Sequence, residues 1–434
     1  MHPTEMQKSV SVQVDSDFAL LLPSGVYEIK KMEPRSKLRK VILFCLLLSL
    51  FGMVAFGYFC PDQVCAVSPR ERAEPLALSY AEAPGRPLPD AVAQRGLSYD
   101  EVLHDDFRFD LNAHDVMVFL HIQKTGGTSF GKHLVMDLDL KRPCNCQRAR
   151  KRCHCFRPHS NEIWLFSRYS TGWKCGLHAD FTELTACVGG ELDRHEGSAV
   201  HRRYFYITLL REPVARYLSE YRHVKRGATW KGSRHWCQGR TATAAEVPAC
   251  YSGETWRAVT LEEFAACPWN LANNRQTRML ADLALVGCYN GTLRHRSADT
   301  DRVLLASAKR NLAAMAYFGL TEYQKISQYV FEETFNLRFA VPFTQHNATV
   351  SGATLAALAP AQVAHIKRLN SLDQELYEFA KNLMFKRFEA LKKRDTDFEY
   401  RWRHLGEVAP RSGVTEFDWD SNLEDATTEK YRGK

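Results

Sequence analysis

"FLHIQKTGGTSF", residues 119–130, is the stretch from which the rest of the chain is read. An apolar run enters it, Gly126 and Gly127 lie at its centre, and helix-forming residues follow. A loop of this composition turns backbone N–H groups toward an anion, uses glycine where a Cβ would intrude, and adds the positive end of a helix. The familiar triphosphate loop, G-x-x-x-x-G-K-[ST], carries its lysine after the glycines. Here Lys124 comes before them. The pattern points either to a phosphate cradle for a different ligand or to an ordinary turn, and the flanking sequence has to separate the two.

Upstream, "HDVMVFLHI" (residues 114–122) is a short apolar run rich in Val and Phe and reads as a strand; "SFGKHLVMDL" (129–138) reads as a helix. "RYFYITLLREP" (203–213) is a second buried-strand candidate, after which Pro213 suits a first helical turn and "VARYLSEYRHV" keeps helical spacing. "RVLLASAKRNLAAMAYFGLTE" (302–322) predicts a helix running into a short strand. Residues 361–391 predict one long amphipathic helix with Ile366, Leu369, Leu372, Leu376, Phe379 and Leu383 on its stripe. Strands alternating with helices imply an α/β fold with a mostly parallel sheet. Residues 227–269 hold Trp230, Trp236 and Trp256, several cysteines and many basic residues without a clear period; they read as a disulfide-pinned insertion, a usual place for acceptor recognition.

The chain has 434 residues, 45% apolar and 25% charged, which is globular composition. Its formal charge of +8 favours an anionic partner. Residues 41–59, "VILFCLLLSLFGMVAFGYF", carry no charge and as a helix would extend roughly 28 Å, about a bilayer core. Lys30, Lys31, Arg35, Lys37, Arg39 and Lys40 precede them, so a signal anchor with its N-terminal side cytoplasmic is expected, ahead of a cleaved signal peptide. Cys144, Cys146, Cys153, Cys155, Cys175, Cys187, Cys237, Cys250, Cys267 and Cys288 then lie in an oxidising lumen, where disulfides are expected with connectivity open. Sequons at Asn290 and Asn347 fit that compartment. The expected organisation is a cytoplasmic tail (1–40), a span (41–59), a proline-containing stem (60–106), a lumenal domain (107–394) and a loosely ordered tail (395–434).

Arg211 at a strand end and Ser219 two turns along the next helix supply a second half to the cradle. A strand–cradle–helix joined to such a pair suits a nucleotide that carries two separate phosphates. The combination resembles the sulfotransferases that use 3′-phosphoadenosine 5′-phosphosulfate (PAPS). With "RPCNC", "TGWKCGLHADFTEL", "YITLLREPVARYLSEYRHV" and "NNRQTRMLADLALVGCYN" added, the chain resembles the heparan sulfate 6-O-sulfotransferases over roughly residues 107–388.

That resemblance implies a P-loop-like sulfotransferase fold and a Golgi type II membrane enzyme. Its reaction would transfer the sulfuryl group of PAPS to the 6-hydroxyl of N-sulfated glucosamine in heparan sulfate, with no metal and no nucleic-acid partner. The implied cofactor loop is His121, Ile122, Gln123, Lys124, Thr125, Gly126, Gly127, Thr128 and Ser129, with Arg211 and Ser219 on the 3′-phosphate and Thr344, Gln345 and His346 closing over the nucleotide. His178 falls on the family's base and Lys124 is expected to stabilise the leaving phosphate. Lys151, Arg152, Arg168, Trp173, His223 and Trp230 fall on acceptor contacts. Where the sequon threonine Thr349 would be followed by a basic residue, the chain has Val350.

The residues alone leave other readings. "KRPCNCQRARKRCHCFRP" (141–158) can be a zinc site, a solvated loop or a disulfide-pinned basic loop that meets acceptor sulfates; the last is preferred, since an oxidising lumen favours disulfides. Asp180 is near enough in sequence to His178 to orient it, though a residue two positions on does not share its helix face. A sulfotransferase for another glycosaminoglycan or heparan position, and a membrane-anchored glycan-binding protein without turnover, are the alternatives. A kinase fits least, because the lysine is misplaced and metal ligands are missing.

Overall fold

The computed structural model describes residues 107–146, 152–343 and 355–407. Chain order is β1 (Asp115–Leu120), α1 (Gly127–Met136), β2 (Asn145–Cys146), β3 (Cys153–His154), β4 (Leu165–Phe166), α2 (Phe181–Glu196), β5 (Arg203–Leu210) and α3 (Pro213–Lys225). There follow β6 (Trp236–Cys237), β7 (Arg240–Thr241), α4 (Leu261–Ala266), α5 (Arg275–Leu280), α6 (Ala298–Ala314), β8 (Tyr317–Leu320), α7 (Gln324–Phe335), α8 (Pro360–Leu369), α9 (Ser371–Arg394) and α10 (Phe398–Arg403).

The main sheet runs β4-β1-β5-β8 and every pairing in it is parallel. All six residues of β1 are buried. A parallel sheet covered on both faces requires that, which is why its sequence shows an unbroken apolar run instead of alternation. From β1 the chain goes to β4 on one side and later returns to β5 on the other. Connections that diverge in this way open a crevice at the C-terminal ends of the two strands, the usual ligand position in such sheets. The cradle leaves β1 and Arg211 leaves β5, so both stand at that crevice.

Two expectations change in detail. The long C-terminal helix is two helices, α8 and α9, broken at Asn370. Asn370 is fully buried, and its amide donates to the Ile366 carbonyl (2.9 Å) while its oxygen accepts the Asn274 N–H (3.2 Å). Of the apolar stripe, Ile366, Leu376 and Leu383 are buried; Leu369, Leu372 and Phe379 are partly buried. The packed chain also runs past residue 394: Trp402 of α10 lies against Tyr329 and Phe388.

Disulfides join Cys144–Cys155 and Cys146–Cys153 side by side across the β2–β3 pair, and Cys175–Cys187, Cys237–Cys288 and Cys250–Cys267 elsewhere. The paired C-x-C sulfurs are thereby consumed, which removes the zinc reading. The insertion packs on α3: Trp256, Val259 and Phe264 share a buried cluster with Val214, Tyr217 and Leu218. Among the described residues no helix is long and apolar enough to cross a membrane; residues 41–59 lie outside them.

Candidate active site

The cradle is built by sterics first. Gly126 takes φ 87°, a left-handed value that β-carbons disfavour, and begins α1 without a side-chain cap. Gly127 has no room for a side chain: a Cβ there would lie 2.3 Å from Cδ2 and 2.7 Å from Nε2 of His121. No acidic residue occupies the first turn of α1, so the positive end of that helix is left for an anion. Lys124, also left-handed at φ 67°, stands at the loop's entry. Thr125 is buried and holds the turn, its hydroxyl donating to the Ile122 carbonyl at 3.0 Å.

The crevice's other side is fastened to this loop by distant residues. Arg211 is buried, and its Nη1 donates to the Lys124 carbonyl at 3.2 Å. Burial draws its pKa below the ordinary arginine value. The buried amide of Gln276 holds the Arg211 backbone at both ends, accepting its N–H and donating to its carbonyl, each at 2.9 Å. Thr321, just past β8, donates to the Thr125 carbonyl at 2.6 Å. Ends of three strands are thus locked around one loop.

Aromatic rings form the wall. His121 stacks on Phe119 (5.5 Å between centroids) and on Trp173 (6.0 Å), and His178 is tilted against both His121 (5.0 Å) and Trp173 (4.7 Å). The Arg168 guanidinium lies 5.0 Å over the Trp173 ring, with Nη1 3.5 Å from the Thr128 hydroxyl. Loop and acceptor candidates therefore meet here. His178 is held at a left-handed φ of 54°, and its Nδ1 lies 3.4 Å from the His121 carbonyl. A carbonyl only accepts, so Nδ1 carries the hydrogen and Nε2 keeps a lone pair. Burial first, then the charges of Arg168 and Arg275, lower the pKa of His178 to about 3 against the opposing effect of that hydrogen bond, with a smaller lowering from His223. His121 is also pushed well below its ordinary value, by burial and then by His178, Arg168 and Lys124. Two neutral imidazoles thus share a mouth lined by arginine and lysine.

Asp180 does not orient the His178 ring. Its carboxylate caps α2 by accepting the Glu183 N–H (2.9 Å) and takes the Tyr289 hydroxyl at 2.5 Å. Glu183 completes the capping box on the Asp180 N–H and also accepts the Trp236 N–H. Burial raises the pKa of both carboxyls, and that of Glu183 further because Asp180 is beside it. Asp180 was weighed from the sequence in another role; Glu183, Gln276, Thr321 and Arg275 are the part of the site that sequence reasoning missed. The capping box in "ADFTEL" was a readable signal; the partners more than 50 residues away were not.

The remaining candidates divide. Arg152 packs over Gly172, the residue before Trp173, where a Cβ would meet its side chain at 3.1 Å. His223 and Ser219 lie one turn apart on α3, both half-buried, and the charge of His223 is felt at His178. Trp230 packs edge-on against Trp256 at 4.5 Å, with the Arg275 guanidinium 6.0 Å from its ring centroid. Asn290 is half-buried. Lys151, Thr344, Gln345, His346 and Asn347 lie outside the described residues. Among the described residues no three His, Cys, Asp or Glu side chains converge as metal ligands.

Comparison with known proteins adds to this geometry. The sulfotransferase family model matches residues 107–380. The chain is 47% identical over 406 residues to heparan-sulfate 6-O-sulfotransferase 2 of Gallus gallus, covering 89% of this chain and 98% of that protein. It is 56% identical over 289 residues to heparan-sulfate 6-O-sulfotransferase 1 of Cricetulus griseus (66% and 71%). With heparan-sulfate 6-O-sulfotransferase 3-B of Danio rerio it shares 46% over 376 residues (84% and 89%).

Proposed function

The chain belongs to the heparan-sulfate 6-O-sulfotransferases of the sulfotransferase family, and on that premise we propose that it moves the sulfuryl group of PAPS to the 6-hydroxyl of N-sulfated glucosamine in heparan sulfate. The observation that carries this reading is the bond from His178 to the carbonyl of His121, the first residue of the cradle. It sets the candidate base on the donor loop itself.

In the proposed reaction the acceptor hydroxyl oxygen attacks sulfur as His178 Nε2 takes its proton. The bond from sulfur to the phosphate oxygen breaks, and Lys124 and the N–H groups of α1 meet the charge growing there. Arg211, with Ser219, would hold the 3′-phosphate. The products are the sulfated chain and adenosine 3′,5′-bisphosphate. The low pKa of His178 keeps the free base unprotonated; the negative charges of donor and acceptor raise it toward the range where a proton is taken and later released. Positioning does much of the remaining work, as in phosphoryl transfer. We assign Arg152, Arg168 and Trp173 to the acceptor, and place the reaction in the Golgi lumen with residues 41–59 as the type II anchor.

The test is transfer from sulfur-labelled PAPS to heparan, chondroitin and desulfated heparin, followed by disaccharide analysis. Label at the glucosamine 6-position is expected. Label elsewhere would reassign the acceptor, and nucleotide binding without any transfer would favour a glycan-binding protein.

A further inference from the structure

Two large apolar side chains turned to solvent belong to segments tied to the candidate base: Leu177, 40% exposed, and Trp236, 43% exposed. Isolated exposed apolar residues need no explanation. What sets these apart is how firmly they are mounted and to what. Leu177 directly precedes His178. Trp236 opens the β6–β7 hairpin, whose turn residues Gln238 and Gly239 both take positive φ (51° and 77°), as a tight two-residue connection requires. Cys237 is bonded to Cys288, the Ala242 N–H donates to the His235 carbonyl at 2.7 Å, and Arg240 grips Glu246 through both terminal nitrogens at 2.8 and 2.6 Å.

The buried carboxyl of Glu183 registers this hairpin to the chemistry. One oxygen accepts the Trp236 N–H at 2.6 Å; the other accepts the Asp180 N–H at 3.0 Å, two residues after His178. The Arg234 carbonyl lies against Gly176 on the same loop, 3.9 Å from where a Cβ would stand. A single side chain therefore ties the base-bearing loop to a rigid hairpin that displays an indole. Exposed Lys174 and Arg234 sit on the same two segments.

We propose that Trp236 and Leu177 form an acceptor subsite for a sugar ring next to the one that reacts, with Arg234 and Lys174 meeting its sulfate and carboxylate groups. The occupant is an anionic, sulfated pyranose chain: an indole offers its face to the C–H side of a pyranose, and rigid aromatics give contact area at little entropic cost. The inference rests on the sulfotransferase reading of the site.

The test uses calorimetric binding of a sulfated heparan octasaccharide to the protein saturated with adenosine 3′,5′-bisphosphate, alongside turnover. Trp236→Ala is expected to weaken oligosaccharide binding about five- to tenfold, as loss of an aromatic contact does, with nucleotide affinity and melting temperature unchanged. Trp236→Phe should recover most of it. Equal affinity of Trp236→Ala and the unsubstituted protein would overturn the subsite, as would parallel losses in both variants with a fall in melting temperature. An unsubstituted protein that binds the octasaccharide yet transfers nothing would overturn the sulfotransferase reading alone, since the binding comparison judges the subsite independently.

Discussion

Replacing Gly127 with alanine tests the cradle at its tightest point. The new Cβ would sit 2.3 Å from His121 Cδ2, 2.7 Å from its Nε2 and 3.1 Å from Phe119 Cζ. Ordinary carbon contacts lie at roughly 3.5–4.0 Å, so the imidazole has to retreat by about an ångström. It has nowhere soft to go, because Phe119, Trp173 and His178 hold it on three sides. Overpacking of this kind costs about 1–3 kcal/mol. A displacement of about 1 Å passed to His178 lowers turnover on the order of a hundredfold. The control is Gly190→Ala in the exposed middle of α2, where a Cβ meets nothing within 4 Å; there a gain of about 0.5–1 kcal/mol is expected. Urea unfolding and initial rates on both variants decide the matter. If Gly127→Ala behaves like Gly190→Ala, with full turnover and unchanged or raised stability, the steric account of the cradle is wrong.

The low pKa of His178 has a kinetic signature. On the proposed role of His178 as base, activity is lost as pH falls through its pKa; kcat/KM for the donor reports the nucleotide-free enzyme, so its acid limb should have its midpoint below the ordinary imidazole value of about 6.5. A midpoint at or above that value would show that burial and Arg168 do not control the ring. Glu220 tests the support beneath α3. Burial would raise its carboxyl, but Arg275 and Arg216 on either side hold it down to about 2. Glu220→Gln strands two buried guanidiniums and should cost about 3–5 kcal/mol at neutral pH. Because the folded pKa is depressed, that contribution is complete above the unfolded value of about 4.5 and fades as pH falls toward 2; a pH-independent loss in unfolding experiments would contradict it.

How much of this was legible follows from distance along the chain. The strand, cradle and helix lie within 22 residues (115–136), and hydrophobic period plus paired glycines describe them without help. Arg211 was visible because a proline-started helix marks the strand end. Thr321 and Gln276 carry no local signal: they meet Thr125 and Arg211 across separations of 196 and 65 residues. The break at Asn370 was hidden because apolar positions continue in phase on both sides, and only the buried partner Asn274 reveals why the helix turns there. Tryptophan gave the weakest guidance. Trp173 stacks in the mouth and Trp230 packs on Trp256, yet composition alone treats them alike.

The link between Lys124 and Arg211 spans 87 residues. The two halves of the crevice therefore exist together only once β1 and β5 are in register, and the unfolded chain holds no rudiment of the pair. A nucleotide that fills both halves binds the native state alone, so mass action makes it a folding ligand: a hundredfold excess over its dissociation constant deepens the native basin by about 2.7 kcal/mol. That gain falls on the parallel sheet as a whole, whose non-local pairings are the slow ones to assemble. On the proposed assignment of this crevice, supply of the sulfuryl donor bears on how long the folded enzyme lasts as well as on how fast it turns over.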